Sequence, residues 1–257
     1  MPEPPSSPRG GSDPRGLPAA MGERLIVALD VPTVAQAAEL VARLDGTVSF
    51  FKIGLWLAFA EGIDGLLKAL LGAGRKVFLD TKMFDIAKTV EEGVARAADR
   101  GVTFVTVHGD RQIVEAAVLG RRGRATKVFA VTALTSLGDE SLAEMGYRLG
   151  AEELVRLRVR EAARCGCDGV IASARDDPDA LRQVAGTDRL LVATPGIRPA
   201  GGAADDHQRM ATPREAIVKG ADYLVVGRPI IATRDPAASA RRIVAEMEEG
   251  ERLRGGG

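Results

Sequence analysis

Three charged residues stand where an apolar strand ends, in the segment FLDTKMFDIAKT at residues 78–89. Asp80 and Lys82 are two positions apart, so their side chains face the same side of an extended chain. With Lys52 from an earlier apolar run and Asp85 at the start of a helical pattern, the charges alternate in sign. Opposite charges keep a lysine protonated. A held ammonium in a closed pocket can stabilise a developing carbanion and then protonate it.

Simpler structural roles exist for the same residues. Asp85 could be the N-cap of the following helix, a common position for aspartate. Asp80 and Lys82 could form a salt bridge at the rim of the fold. Buried charges are costly and breaking such a pair costs about 3–5 kcal/mol. The four charges taken together therefore favour chemistry over a purely structural cluster.

A second set of residues is suited to binding an anion. Gly227 allows close approach of the backbone, and Arg228 beside it can pair bidentately with a phosphate. Arg198 precedes a long polar segment rich in glycine and alanine, within residues 195–209, of a kind typical of lids. The alternative is an ordinary surface loop with two solvated arginines. Their position at the ends of adjacent strands favours phosphate binding.

The elements that must position these residues follow a regular alternation. Longer amphipathic segments, such as residues 34–44, 90–100, 151–164 and 214–220, separate short apolar runs. The eight runs are residues 25–29, 49–53, 76–80, 103–108, 127–134, 169–173, 190–194 and 223–227. Buried strands alternating with helices indicate a parallel sheet.

Eight such units in about 235 residues predict an α/β fold of the (β/α)8 TIM-barrel type in a single domain. A doubly wound open sheet is the alternative, although no glycine-rich dinucleotide fingerprint follows the first strand. In a barrel the active site lies at the carboxyl ends of the strands. The candidate residues fall at those ends.

The composition limits the possible functions. The 257 residues are 46% hydrophobic and 27% charged, with 35 basic and 35 acidic side chains. No basic surplus indicates a nucleic-acid or anionic-membrane partner, and no apolar run approaches the ~20 residues of a membrane span. Only two histidines are present, which excludes a histidine-rich metal site and leaves proton transfer to aspartate and lysine. The two cysteines, Cys165 and Cys167, fit a reducing cytoplasm.

The two ends of the chain differ from its middle. Residues 1–20 are rich in proline, glycine and serine and lack a signal-peptide pattern, so we expect a disordered extension. The folded pattern opens at Met21, which is an alternative start to Met1. The barrel is predicted over residues 21–248, followed by a flexible tail at 249–257.

At this point the motifs can be matched to a known family. DTKMFDIAKT at residues 80–89 fits, position for position, the D-x-K-x-x-D-I-x-x-T signature of the orotidine 5′-phosphate decarboxylase family, which the chain resembles. The blocks ALD, FFKIG, VTALTS, TPGIR, DDHQR and VVGR also resemble family blocks in family order, over about residues 25–246. One departure is VHGD at residues 107–110, where many relatives read VHA.

The resemblance implies decarboxylation of orotidine 5′-phosphate to UMP without metal or cofactor. Lys82 is then expected to protonate C6, and Asp80 to lie against the substrate carboxylate. Asp85 would complete the charge chain from the partner subunit of a homodimer, and Lys52 would contact the ribose. The expected substrate-binding residues are Asp30, Lys52, Thr89, Thr135, Ser136, Pro195, Arg198, Gln208, Gly227 and Arg228.

Two other functions are compatible with the same residues. A sugar-phosphate decarboxylase of the same suprafamily shares the D-x-K-x-x-D core but uses a magnesium ion, so metal dependence separates the two. A non-catalytic nucleotide-binding protein would bind UMP analogues without turnover. The intact Lys82 argues against the second alternative.

Overall fold

The computed structural model describes residues 13–134, 137–200 and 210–256. Its sheet is a closed barrel in which each strand pairs in parallel with the next and the eighth with the first. The strands are β1 (Leu25–Ala28), β2 (Phe50–Gly54), β3 (Lys76–Met83), β4 (Phe104–His108), β5 (Lys127–Val131), β6 (Gly169–Ile171), β7 (Leu191–Thr194) and β8 (Tyr223–Val226). The predicted (β/α)8 barrel is confirmed, and the open-sheet alternative is wrong.

The helices surround the barrel in the order that the sequence pattern predicts. They are α1 (Val34–Arg43), α2 (Leu55–Ala58), α3 (Ile63–Gly72), α4 (Ala87–Asp99), α5 (Arg111–Gly120), α6 (Asp139–Glu144), α7 (Ala151–Arg164), α8 (Pro178–Ala185), α9 (Pro213–Val218), α10 (Arg228–Ile231) and α11 (Pro236–Gly255). None of them, within the ranges described above, combines the length and the apolar character that crossing a membrane requires.

Side chains alternate between two cores along each strand. On β1, Leu25 and Val27 pack outward against the helices, whereas Ile26 and Ala28 point into the barrel. An aromatic cluster fills the barrel interior, and Phe104 lies at its centre. Its ring centroid is 4.5 Å from that of Phe129, 4.9 Å from that of Phe50 and 5.1 Å from that of Tyr223. These residues form a packed floor beneath the carboxyl ends of the strands.

Both chain ends differ from the predicted boundaries. Within the expected disordered extension, the described residues from Asp13 onward lie against the barrel: Arg15 pairs with buried Asp222, and Leu17 packs on the interior cluster. Residues 1–12 lie outside the described residues. At the other end α11 continues to Gly255, and Arg254 pairs with Asp179 where a flexible tail was expected. Ion pairs with barrel residues explain both differences, and composition does not reveal them.

Candidate active site

The charged residues of the site continue the inward-facing rows of the barrel strands. Phe50 and Phe78 belong to the buried interior cluster. Two positions further along, the same rows place Lys52 on β2 and Asp80 on β3. Strand residues two apart share a face, so a layer of charge lies directly above the aromatic floor.

Within this layer one carboxylate is held between two ammonium groups. The Nζ of Lys82 donates to both oxygens of Asp80, at 2.8 and 2.9 Å. The Nζ of Lys52 lies 3.5 Å from Asp80 Oδ2 and donates to Asp30 Oδ1 at 3.1 Å. The predicted neighbourhood of Asp30, Lys52, Asp80 and Lys82 is therefore present in one subunit.

Thr106 on β4 supports this pair, and the sequence reasoning missed it. Its hydroxyl donates to Asp80 Oδ1 at 2.8 Å and accepts a bond from the backbone N–H of Lys82 at 3.0 Å. Thr106 lies two positions after the inward-facing Phe104, so the same parity argument that finds Lys52 would have found it. Threonine was overlooked because it carries no charge.

Lys82 lies on an irregular part of β3. Between Leu79 and Met83 the pairing with β4 shifts register, and Lys82 has φ of +46°. Such a conformation costs a non-glycine residue about 1–3 kcal/mol and persists only where the surrounding structure enforces it. The bulge lets the Lys82 ammonium reach back onto Asp80.

The electrostatics favour the ionised carboxylate. Burial by itself raises the pKa of Asp80, but the cations of Lys52 and Lys82 and the bonds it accepts outweigh burial. The pKa of Asp80 therefore lies below its usual range. Asp80 is an anion at neutral pH, next to any group that enters the pocket.

The cluster opens into a cavity of about 690 Å³ at the carboxyl ends of the strands. Cavities of roughly 300–1,000 Å³ are usual for small-molecule sites. Phe78 and Val225 of the aromatic floor contribute apolar lining. Further apolar lining comes from the ends of β5 and β6 and from the segment that follows β5, namely Val131, Ala133, Leu134, Leu137, Gly138 and Ile171.

The ends of β7 and β8 add the predicted anion-binding residues. The lining includes Pro195, Arg198, Gly227 and Arg228. A side chain at Gly227 would place its Cβ 3.4 Å from Asp30 Oδ2. That distance is an ordinary van der Waals contact, so the structure itself does not require glycine at the end of β8; Arg228 follows it in the lining.

Five predicted site residues are not seen in this cavity. Asp85 and Thr89 are exposed to solvent in the single subunit. Thr135, Ser136 and Gln208 lie outside the described residues. The N-cap alternative for Asp85 is wrong, because Ile86 is the N-cap of α4. Asp85 Oδ1 accepts a hydrogen bond from the backbone N–H of Ile86 at 2.6 Å.

Comparison with known proteins gives consistent matches over the barrel. A family model described as Orotidine 5′-phosphate decarboxylase / HUMPS family matches residues 23–243. Curated proteins named orotidine 5′-phosphate decarboxylase from Afipia carboxidovorans and Rhodopseudomonas palustris BisA53 are 52% and 50% identical. The matches cover 88% and 90% of this chain and 94% and 97% of theirs.

A solved structure agrees with the sequence matches. The crystal structure of orotidine 5′-phosphate decarboxylase from Lactobacillus acidophilus superposes with a TM-score of 0.77 at 36% identity. The match covers 88% of this chain and 99% of that one. The same barrel therefore extends over nearly the whole of the solved protein.

Proposed function

Because the chain belongs to the orotidine 5′-phosphate decarboxylase family, we propose that it converts orotidine 5′-phosphate to UMP and CO2, the last step of de novo pyrimidine biosynthesis. The observation that carries the proposal is Asp80, held between Lys52 and Lys82 in the lining of a cavity that also contains Arg198 and Arg228. Its relatives at about 50% identity bear that enzyme's name.

The lining suits the three parts of a nucleotide. Arg198 and Arg228 offer charged donors for the phosphate, and the backbone at Gly227 can approach it. Lys52 and Asp30 offer a donor and an acceptor for the ribose hydroxyls. The apolar side chains around β5 and β6 suit the flat faces of the pyrimidine, whose polar edge would be read by Thr135 and Ser136.

The reaction needs charge stabilisation and one proton. As the C6–carboxylate bond breaks, its electron pair stays on C6 and CO2 departs. The Lys82 ammonium stabilises this pair and donates an Nζ proton to C6, leaving a neutral amine that water reprotonates. Asp80 holds Lys82 in place and, being anionic, repels a substrate carboxylate that is about to leave.

One lysine does not account for the whole barrier. At the upper end of the typical range, enzymes lower barriers by ~23 kcal/mol, whereas one preorganised donor supplies roughly 3–4 kcal/mol. The remainder requires binding energy from distant parts of the substrate, converted into closure and orientation at the reacting carbon. The arginines at the phosphate end therefore act on the rate although the reaction leaves the phosphate unchanged.

A homodimer with shared sites is part of the proposal. Phe84 and Ile86, which flank Asp85, are 67% and 72% exposed, and Trp56 on α2 is 57% exposed. Large apolar side chains exposed near one another often mark an interface. A second copy covering them would bring Asp85 and Thr89 to the partner's cavity.

Mixing two inactive variants tests the shared site. If Lys82 and Asp85 act across the interface, a hybrid of Lys82→Ala and Asp85→Ala subunits contains one intact site. An equal mixture should then recover about a quarter of wild-type activity, because half of the twofold dimers are hybrids. No recovery after verified subunit exchange would contradict sharing.

The activity itself is tested by following the ultraviolet absorbance of orotidine 5′-phosphate with purified protein in EDTA. Turnover in EDTA, abolished in Lys82→Ala, is the expected result. Lys76→Ala is the matched control, because Lys76 lies at the opposite end of the same strand, paired with Glu23. Absence of turnover in the wild type would refute the proposal, and turnover of a keto-sugar phosphate only with magnesium would support the sugar-phosphate decarboxylase.

The cellular location stays a prediction. Both cysteines of the chain are free thiols, which agrees with the reducing cytoplasm expected from the low cysteine content. Fractionation of cells expressing the protein from its own start codon would test it. Recovery outside the cytoplasmic fraction would contradict it.

A further inference from the structure

Arg158 on α7 is a buried arginine whose bonds lead to the cavity wall. The residue is 6% exposed. Its Nη1 donates to the backbone oxygen of Thr132 at 2.7 Å, and its Nη2 donates to Tyr147 Oη at 3.2 Å and to Asp110 Oδ2 at 3.3 Å. One guanidinium thus joins the residue after β5, the loop after β4 and the segment before α7. Burying a charge is costly, so the contacts it makes require an explanation.

The backbone makes room for this side chain. A Cβ at Gly109 would lie 2.7 Å from Arg158 Cδ and 2.5 Å from the backbone oxygen of Val131. Both distances are shorter than real side chains adopt, so glycine at this position allows the arginine stem to pass. The VHGD departure in the sequence therefore has a structural reason.

Two of these bonds connect Arg158 to one part of the cavity wall. Thr132 directly precedes the segment that includes Ala133, Leu134, Leu137 and Gly138, all of which line the cavity. Beyond that segment, Tyr147 packs in the same small apolar cluster as Leu137. A single side chain therefore bonds to the residue at which this segment begins and to a ring of the cluster on which Leu137 packs. We name the described residues of this segment, Ala133, Leu134, Leu137 and Gly138, the β5 wall.

The β5 wall has a chemistry of its own within the cavity. Leu134 and Leu137 are apolar, whereas the cations Arg198 and Arg228 come from the ends of β7 and β8. Apolar surface suits the faces of a planar base, and guanidinium groups suit a phosphate. A displaced β5 wall would accordingly weaken contacts to the base and leave contacts to the phosphate.

We propose that Arg158 is a positioning residue that holds the β5 wall against the base of the bound nucleotide. The inference rests on the proposed function, because it needs a substrate with a base at one end and a phosphate at the other. Arg158 does not reach the reacting atoms; it acts through Thr132 and Tyr147. A displacement of about 1 Å in a positioning element can cost ~100-fold in activity.

The test compares two ligands that differ only in the base, UMP and ribose 5-phosphate, by calorimetry well below each variant's unfolding temperature. Arg158→Met should weaken UMP binding by about tenfold or more while leaving ribose 5-phosphate binding nearly unchanged. Arg158→Lys, which keeps the charge but not the fork of donors, and Tyr147→Phe should show the same preference to a smaller degree. These two variants decide the matter if Arg158→Met does not fold.

A matched control lies on the same helix. Arg156 is exposed and bonds Glu152, so Arg156→Met should bind both ligands as the wild type does. Equal weakening of both ligands, or of neither, in folded Arg158 variants would overturn the inference and leave a structural role. Failure of the wild type to bind UMP or to turn over orotidine 5′-phosphate would instead refute the proposed function, and the inference with it.

Discussion

The two ends of the barrel each hold a carboxylate between two cations. At the carboxyl ends of the strands, Asp80 lies between Lys52 and Lys82. At the opposite end, the fully buried Asp222 pairs with Arg15 at 2.6 Å and with Arg182. Ion pairing alone therefore does not distinguish the two clusters.

The surroundings of the two carboxylates differ. Arg182 also donates to the backbone oxygens of Leu190 and Gly220, and Asp222 accepts the N–H of Val192. Asp80 instead borders an open cavity. Burial raises the pKa of Asp222 despite its arginines, whereas the lysines lower the pKa of Asp80.

The type of cation separates a reactive cluster from a structural one. Lysine can give up a proton at accessible pH, whereas arginine stays charged and offers a rigid set of donors. The reactive end combines lysine with space for a ligand. The structural end combines arginine with a carboxylate and backbone oxygens that accept bonds from its donors.

Exchanging the type of cation at the reactive end should have the largest effect. Lys82→Arg keeps the charge beside Asp80 but removes the transferable proton. We expect kcat to fall by about 10⁴-fold, at the upper end for general acid catalysis, with little change in unfolding temperature. Steady-state kinetics and calorimetry on the same preparation measure both. Retention of kcat within about tenfold would show that charge alone suffices.

Removing a cation at the structural end should have the reverse consequence. Arg182→Met leaves Asp222 with Arg15 as its remaining cation, and breaking a buried pair costs about 3–5 kcal/mol. We expect the free energy of unfolding in urea to fall by that amount while kcat of the folded protein is unchanged. Adding Asp222→Asn should recover part of the loss. A large fall in kcat would mean that this end also affects the reaction.

The phosphate end should act on rate rather than on affinity alone. Arg228→Ala is expected to lower kcat by about 100-fold, because binding energy there drives closure and orientation at the distant base. Measuring kcat and KM separately distinguishes the cases. An unchanged kcat with a raised KM would mean that the arginine contributes only uniform binding.

The sequence predicted the reactive end far better than the structural end. Asp80 and Lys82 lie in one continuous signature, and strand parity places Lys52 beside them. Asp222 and Arg182 belong to different strand–helix units, and neither is part of a motif. Their pairing follows from the packing of neighbouring units, in which β7 pairs with β8, and it brings residues 40 positions apart together.

Two features of the reactive end could not be predicted from the sequence either. The left-handed backbone of Lys82 depends on a register shift against β4, which a strand pattern does not encode. The bonds of Arg158 join the regions of Asp110, Thr132 and Tyr147 through tertiary contacts. In the amphipathic pattern of α7, Arg158 is simply one arginine among several.

The N-terminal segment gives a smaller test of the structural end. A chain that begins at Met21 lacks Arg15, which pairs with Asp222, and Leu17, which packs under the barrel. We expect the free energy of unfolding to fall by about 1–3 kcal/mol, with kcat unchanged. Removal of residues 1–12 alone is the matched control. Equal stability of all three chains would mean that these contacts contribute nothing in solution.

The smallest expected difference is in how the two carboxyls respond to acid. Asp80 has a lowered pKa, so its stabilising effect is present above its unfolded pKa of 3.8 and is lost only as pH falls below that value. Asp222 has a raised pKa, so its contribution to stability is full below pH 3.8 and declines as pH rises through the folded-state pKa.

Unfolding temperatures of the wild type, Asp80→Asn and Asp222→Asn, measured against pH at matched ionic strength, give the sign of each contribution. Compared with Asp222→Asn, the wild type should gain stability as pH falls from 7 towards 4. Compared with Asp80→Asn, the wild type should keep its stability over the same range and lose it as pH falls below 3.8. Parallel curves would contradict the difference between the two ends, because the folded-state pKa lies below 3.8 for Asp80 and above 3.8 for Asp222.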